Sequence, residues 1–185
     1  VLAGGSSRRM GRDKAFLEVA GVPLVASVAE VLDEVVDAGV VVVGGDVDGL
    51  RNLGLQCVPD LYPGDGPLGG ILTALRHFRG HCDHLVVLSC DLPRASVASV
   101  GALLDAVGEV PAVIVPVLEG RRQWMHACWP VSAMALLEGA FAAGERAPRM
   151  ALGDLPVVEV AGLDPLSLRD VDSPEDLDES GRAGL

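Results

Sequence analysis

Aromatic residues are scarce, with three Phe, two Trp and one Tyr in 185 residues. That scarcity argues against a sandwich built on aromatic pairs. Basic residues are also few, 14 Lys+Arg against 26 Asp+Glu, for a formal net charge of −12. Neutralising nucleic-acid phosphates takes a basic stripe, so no nucleic-acid partner is expected. A local cluster of Arg and Lys can still oppose the global sign and attract a small anion. Cysteine is limited to Cys57, Cys82, Cys90 and Cys128, without a CxxC pair or zinc spacing. Reduced, buried thiols in a cytoplasmic protein are the expectation. No apolar run reaches the roughly 20 residues of a membrane span, so no membrane partner is expected. No charged segment followed by an apolar stretch and a cleavage site marks secretion. The chain opens at Val1-Leu2-Ala3-Gly4-Gly5 without Met, and the beginning of a first strand is expected upstream.

Half of the residues are apolar, enough for a core. β-Branched runs alternate with helical patterns. Val1-Leu2 reads as a strand tail. Pro23 opens a helix with Leu24, Val28, Val31, Leu32 and Val35 at helical spacing. Strands are expected at 40–43, 55–58, 85–88, 112–117, 124–129 and 157–160. Further helices are expected around 71–78, 96–107 and 131–142, with a terminal one capped by Ser173 and Pro174. Apolar strands each followed by a helix mean a sheet covered on both faces. The fold expected is α/β: one three-layer domain over 1–185 with a mostly parallel central sheet. Ligands then belong at the carboxyl ends of the strands.

The segment from Leu2 to Lys14 leaves the first strand and packs three Gly, three Arg and one Lys into 13 residues. Glycines let backbone N–H groups approach phosphate oxygens, Arg offers a planar fork, and Lys a compact charge. The spacing is not that of a Walker A loop. A second glycine cluster, Gly64-x-Gly66-x-x-Gly69, matches a dinucleotide fingerprint, with Asp91 about 20 residues on. An NAD(P)-binding oxidoreductase is therefore a rival reading. Against it, Pro59 to Pro63 separate these glycines from the preceding strand, whereas the fingerprint turn follows its strand at once. Asp91 itself ends an apolar strand, where a carboxylate is either a turn cap or, in a phosphate-binding scaffold, a metal ligand.

The pattern L-A-G-G-x-S-x-R-M-G-x-D-K, followed by G-x-P-L at Gly21 to Leu24, resembles nucleotidyltransferases of the nucleotide-diphospho-sugar transferase type. Among these the chain is most similar to the molybdenum cofactor guanylyltransferase family. The likeness continues through Val58-Pro59-Asp60, Gly64 to Gly70, Ser89 to Pro93, and Asp170 to Leu177. It implies a Rossmann-like fold and Mg²⁺-dependent transfer of GMP from GTP to the phosphate of molybdopterin, releasing pyrophosphate. It also implies transient contact with molybdoenzymes.

The resemblance implies roles for particular residues. Leu2, Ala3, Gly4 and Gly5 would bind nucleotide. Arg9 would hold the β- and γ-phosphates, and Lys14 would neutralise the α-phosphate. Asp91 would ligate Mg²⁺. Backbone groups of Gly66, Pro67 and Leu68 would line the base pocket, and Asp60 would accept N–H groups from guanine. A turn-capping role competes for Asp60. His126 is a candidate for the second substrate or a satisfied strand histidine. Trp124 and Trp129 read as packing residues. Asp170 and Asp172 stand where the family usually has Asn, which bears on acceptor identity, and Asp172 is a candidate second carboxylate ligand. The same residues also admit a cytidylyltransferase on this scaffold, acting on molybdopterin or another phosphorylated acceptor, and a noncatalytic adaptor that only binds nucleotide.

Overall fold

The computed structural model describes residues 1–4 and 13–171. Gly5, Arg9, Asp172 and the helix expected after Ser173 lie outside them. A short hairpin, β1 (Glu18–Val19) and β2 (Val22–Pro23), leads into α1 (Leu24–Asp33). Then follow β3 (Val42–Val43), α2 (Val47–Asn52), β4 (Cys57–Val58), α3 (Pro67–Phe78), β5 (His84–Val86) and α4 (Val97–Asp105). The remainder comprises β6 (Val113–Leu118), β7 (Arg121–Arg122), β8 (Cys128–Pro130), α5 (Met134–Ala142) and β9 (Val157–Val160).

Strands β3 and β4 pair in parallel, and the first residues of the chain join them to the larger sheet. Leu2 bridges Val43 on one side and Ser89 on the other, both in parallel. Its amide donates to the Leu88 carbonyl (2.8 Å), and the Ala3 amide to that of Val43 (3.0 Å). Beyond β5 the order runs β8, β6, β9. β9 is parallel to β6, but β8 is antiparallel to both β5 and β6, so the sheet is mixed. The expectation of a mostly parallel sheet is met only in part. Its exception arises where Glu119 and Gly120, both at positive φ (50° and 74°), turn the chain back after β6. A tight turn of that kind returns an antiparallel neighbour, whereas a parallel one needs a crossover helix.

Alternation along the strands sorts side chains to the two faces. Leu2, Val43, Val113 and Val115 pack with Leu68, Ile71, Leu72 and Leu75 of α3 and Leu137 of α5. Val1, Ala3, Val42 and Ile114 pack with Val25, Val28 and Leu32 of α1 and Val100 and Leu103 of α4. Both faces are thus covered, giving the three layers. In α1, the expected positions Leu24, Val28 and Leu32 are buried. α2 escapes the periodicity reading because six residues hold less than two turns; its signal is the Asp46 cap, which accepts from Asp48 N at 3.2 Å. The strand expected at 124–129 is instead a 3₁₀ turn over Trp124–His126 followed by β8.

All four cysteines are free thiols. Burial pushes Cys90 and Cys128 up to about 12, so both stay protonated and are poor nucleophiles. No helix among the described residues is long and apolar enough to cross a membrane.

Candidate active site

Leu2 and Ser89 are neighbours in the sheet, so the loops that follow them leave from the same edge. Lys14 sits in a 3₁₀ turn, Lys14–Phe16, started by Asp13, whose Oδ1 accepts from Ala15 N at 3.0 Å. Its Nζ lies 3.7 Å from Asp91 Oδ2, and both side chains are less than a fifth exposed (18% and 17%). Residues 77 positions apart in sequence therefore share one point. Ser89 Oγ donates to Asp91 Oδ1, and Val171 N donates to the Asp91 carbonyl at 2.9 Å. The residue is held from two sides.

The donor chemistry at Asp91 is hard oxygen. No group of three or more His, Cys, Asp or Glu gathers as a metal site among the described residues. That excludes a zinc-type cage among them and suits Mg²⁺, which binds through one or two carboxylates, waters and substrate phosphates.

At the first loop, the Leu2 and Ala3 side chains are buried in the core and their amides are committed to the sheet. Gly4 is exposed. A Cβ at Gly44, which has φ of +75°, would come within 3.3 Å of the Gly4 backbone. Asp60 also faces this junction, its Oδ2 lying 3.6 Å from where a Gly4 Cβ would be. Asp60 Oδ1 is occupied: it accepts from Tyr62 N (2.9 Å) and lies 3.1 Å from Thr73 Oγ1. The Thr73 hydroxyl in turn accepts from Leu61 N and can donate to the Gly69 carbonyl instead. Asp60 is therefore a turn cap through one oxygen, with the other near Gly4. Thr73, which the sequence did not single out, fixes it; a threonine inside a helix carries no signature for that task.

The second glycine cluster does not form a phosphate cradle. Gly66, at φ +81°, precedes α3, and Pro67 is its first residue. The Leu68 amide donates to the Arg146 carbonyl (3.1 Å) and the Gly69 amide to that of Gly66 (3.2 Å). A dinucleotide site would need these N-terminal amides for pyrophosphate. Leu68 is fully buried, while Gly66 and Pro67 are exposed. The oxidoreductase reading thus loses its anion site.

His126 is 4% exposed, and its Nδ1 has no hydrogen-bond partner. Burial pulls its pKa down to about 4, against an opposing pull from Asp91. The satisfied strand histidine of the sequence reading is replaced by a neutral, unsatisfied one. Because the folded pKa lies below the unfolded 6.5, stability is full above pH 6.5 and falls as pH drops towards 4. The loss amounts to roughly 3 kcal/mol over that window. His126→Phe should remove it, as thermal midpoints of both proteins from pH 7 to pH 4 would show; parallel curves would refute it. Trp129 is wholly buried in the core, and Trp124 is half-buried with the Arg122 guanidinium 5.7 Å from its ring centre.

A three-layer α/β fold with a cation and a carboxylate converging at adjacent strand ends is that of a nucleotidyltransferase. The family model of the MobA-like NTP transferase domain matches residues 1–160, and the chain belongs to that family. It is 33% identical over 191 residues to the molybdenum cofactor guanylyltransferase of Rhizobium rhizogenes, covering 96% of this chain and 87% of that one. A shorter match to a relative from Pelotomaculum thermopropionicum is 49% identical over 94 residues; it spans half of this chain and 44% of that relative. Among solved structures, molybdopterin-guanine dinucleotide biosynthesis protein A from Archaeoglobus fulgidus superposes with a TM-score of 0.76 at 25% identity, covering 98% and 95% of the two chains. The resemblance drawn from the motifs is borne out at the level of the family.

Proposed function

We propose that this chain is a cytoplasmic, single-domain enzyme that transfers GMP from GTP to the terminal phosphate of molybdopterin. The observation that carries the reading is the Lys14–Asp91 pair at 3.7 Å, which joins the last residue of the glycine-rich segment to the carboxylate that follows Ser89. An oxygen of the acceptor phosphate attacks the α-phosphorus. The bond from that phosphorus to the bridging oxygen breaks, and pyrophosphate leaves with the electron pair. The attacking oxygen is already anionic, so no general base is required.

Lys14 neutralises charge building on the α-phosphate, and Arg9 with the loop amides steadies the departing pyrophosphate. Asp91, oriented by Ser89, would hold Mg²⁺, which when bound neutralises phosphate oxygens and aligns the donor. Gly66 and Pro67 edge the base pocket. Asp60 reads the base through Oδ2 alone. The test is pyrophosphate release from each of the four triphosphates with molybdopterin, with Mg²⁺ or with EDTA. Release from GTP only in the presence of both acceptor and Mg²⁺ supports the reading; release from none refutes it.

One observation favours a second reading. With Oδ1 of Asp60 engaged by Tyr62 and Thr73, the carboxylate cannot bridge two N–H groups of guanine with both oxygens. A cytidylyltransferase, whose base offers a single amino group on that edge, fits one free oxygen as well. Asp60→Ala separates the two. If Asp60 reads guanine, the KM for GTP rises about tenfold while those for ATP and CTP move less, the loss of one charged hydrogen bond. A larger loss for CTP selects the second reading, and equal losses remove Asp60 from base reading. Either way the melting temperature should fall, because the Tyr62 amide loses its acceptor.

A further inference from the structure

A cleft of about 250 Å³ opens beside the candidate site. It borders Ser89, the partner of Asp91, and Asp170, whose neighbour Val171 donates to Asp91. Trp124, His126 and Arg149 line it as well. The space is thus continuous with the groups that position Asp91, and its walls mix a flat indole with polar and charged groups.

Two residues in it bear on what it can bind. His126 buries an unpartnered Nδ1. Buried polar atoms in folded proteins nearly always find a partner, so an exception calls for an explanation. The ring also borders a second space of about 10 Å³ that reaches the hydroxyl pair Ser99–Ser167, which are 2.6 Å apart. His126 therefore links the core to the cleft, where a uniformly apolar side chain would otherwise complete the packing.

Arg149 is exposed and forms no hydrogen bond or ion pair among the described residues. Among the described residues, Arg51, Arg76, Arg122, Arg146 and Arg169 each lie within ion-pair distance of a carboxylate, whereas Arg79, Arg94, Arg121 and Arg149 do not; of these four, Arg149 lines the cleft. Arg149 thus adds a positive charge to the wall of the cleft that Asp170 also borders.

We propose that this cleft seats the phosphorylated acceptor, with Arg149 taking an anionic group and His126 hydrogen-bonding a polar edge of its body. The assignment rests on the transferase reading above and adds the residues that select the second substrate. Its acceptor class is an anionic compound with a flat polar body, which Trp124 can face. An uncharged alcohol gains nothing from Arg149, and a purely apolar body leaves His126 unpaired.

The test measures binding apart from turnover. Molybdopterin is titrated into the protein without GTP and followed by quenching of tryptophan fluorescence. Trp124 lies in the cleft and reports directly, and Trp124→Phe identifies its share of the signal. Arg149→Ala should weaken binding about tenfold, as losing one charge-assisted pair does, and Arg149→Lys should recover part of it. His126→Phe should weaken molybdopterin binding while GTP affinity stays within about twofold, because no contact to the nucleotide is assigned to it. Arg149 is exposed, so Arg149→Ala decides the question even if His126→Phe does not fold. Unchanged molybdopterin affinity in Arg149→Ala, or no saturable quench in the wild type, overturns the proposal. Saturable, Arg149-dependent binding without pyrophosphate release from GTP would instead sink the guanylyl-transfer reading and leave the cleft assignment standing.

Discussion

Lys14→Ala should lower kcat by roughly two to three orders of magnitude, the range seen when a single donor to developing charge is removed. Lys14 is anchored by the 3₁₀ turn that Asp13 starts, and that turn needs only the backbone of residue 14. The fold should therefore survive, with circular dichroism unchanged. The loss should fall on kcat more than on the KM for GTP, since the charge to be stabilised grows on the way to the transition state. Turnover near the wild-type rate would remove Lys14 from the chemistry. Lys14→Arg should restore little, because a planar fork does not replace a compact ammonium at this position.

The second large effect is expected at Asp91. Asp91→Asn keeps the size of the side chain and an oxygen for the Ser89 hydroxyl, but removes the charge. Activity should fall at least a hundredfold, and the rise of rate with Mg²⁺ should flatten, since a carboxamide is a weak ligand for a hard cation. The substitution also removes the Lys14–Asp91 ion pair, so the two single variants should be non-additive. A double variant no worse than either single one would show that the two residues act as one unit. A Mg²⁺ titration indistinguishable from that of the wild type would refute the metal role.

Much of this architecture can be read from the residues. The runs at 40–43, 85–88 and 112–117 announce strands buried on both faces, and α1 and α3 show their apolar stripes plainly. The first loop carries a legible expectation of phosphate binding because glycines and cations coincide in an otherwise acidic chain; of its residues, 5–12 lie outside those described. Two kinds of feature escape such reading. Elements such as β7 and α2 are shorter than the window in which periodicity becomes visible. Tertiary partnerships leave no local trace: neither the Thr73 hydroxyl beneath Asp60 nor the Arg146 carbonyl that occupies the Leu68 amide can be seen from spacing. The reversal of β8 is hidden for a related reason. Its three residues, Cys128–Pro130, are all buried, and a continuous apolar run looks the same in either direction.

That reversal has an evolutionary side. In a uniformly parallel sheet, the segments entering each strand gather at the rim opposite the ligands. Turning one strand around moves its entry segment, Trp124–His126, to the ligand-bearing rim. On the proposed function, the segment bordering the acceptor cleft is then far in sequence from the first loop. Lengthening or rewriting the 119–126 stretch could retarget such an enzyme without disturbing the machinery encoded by the first loop.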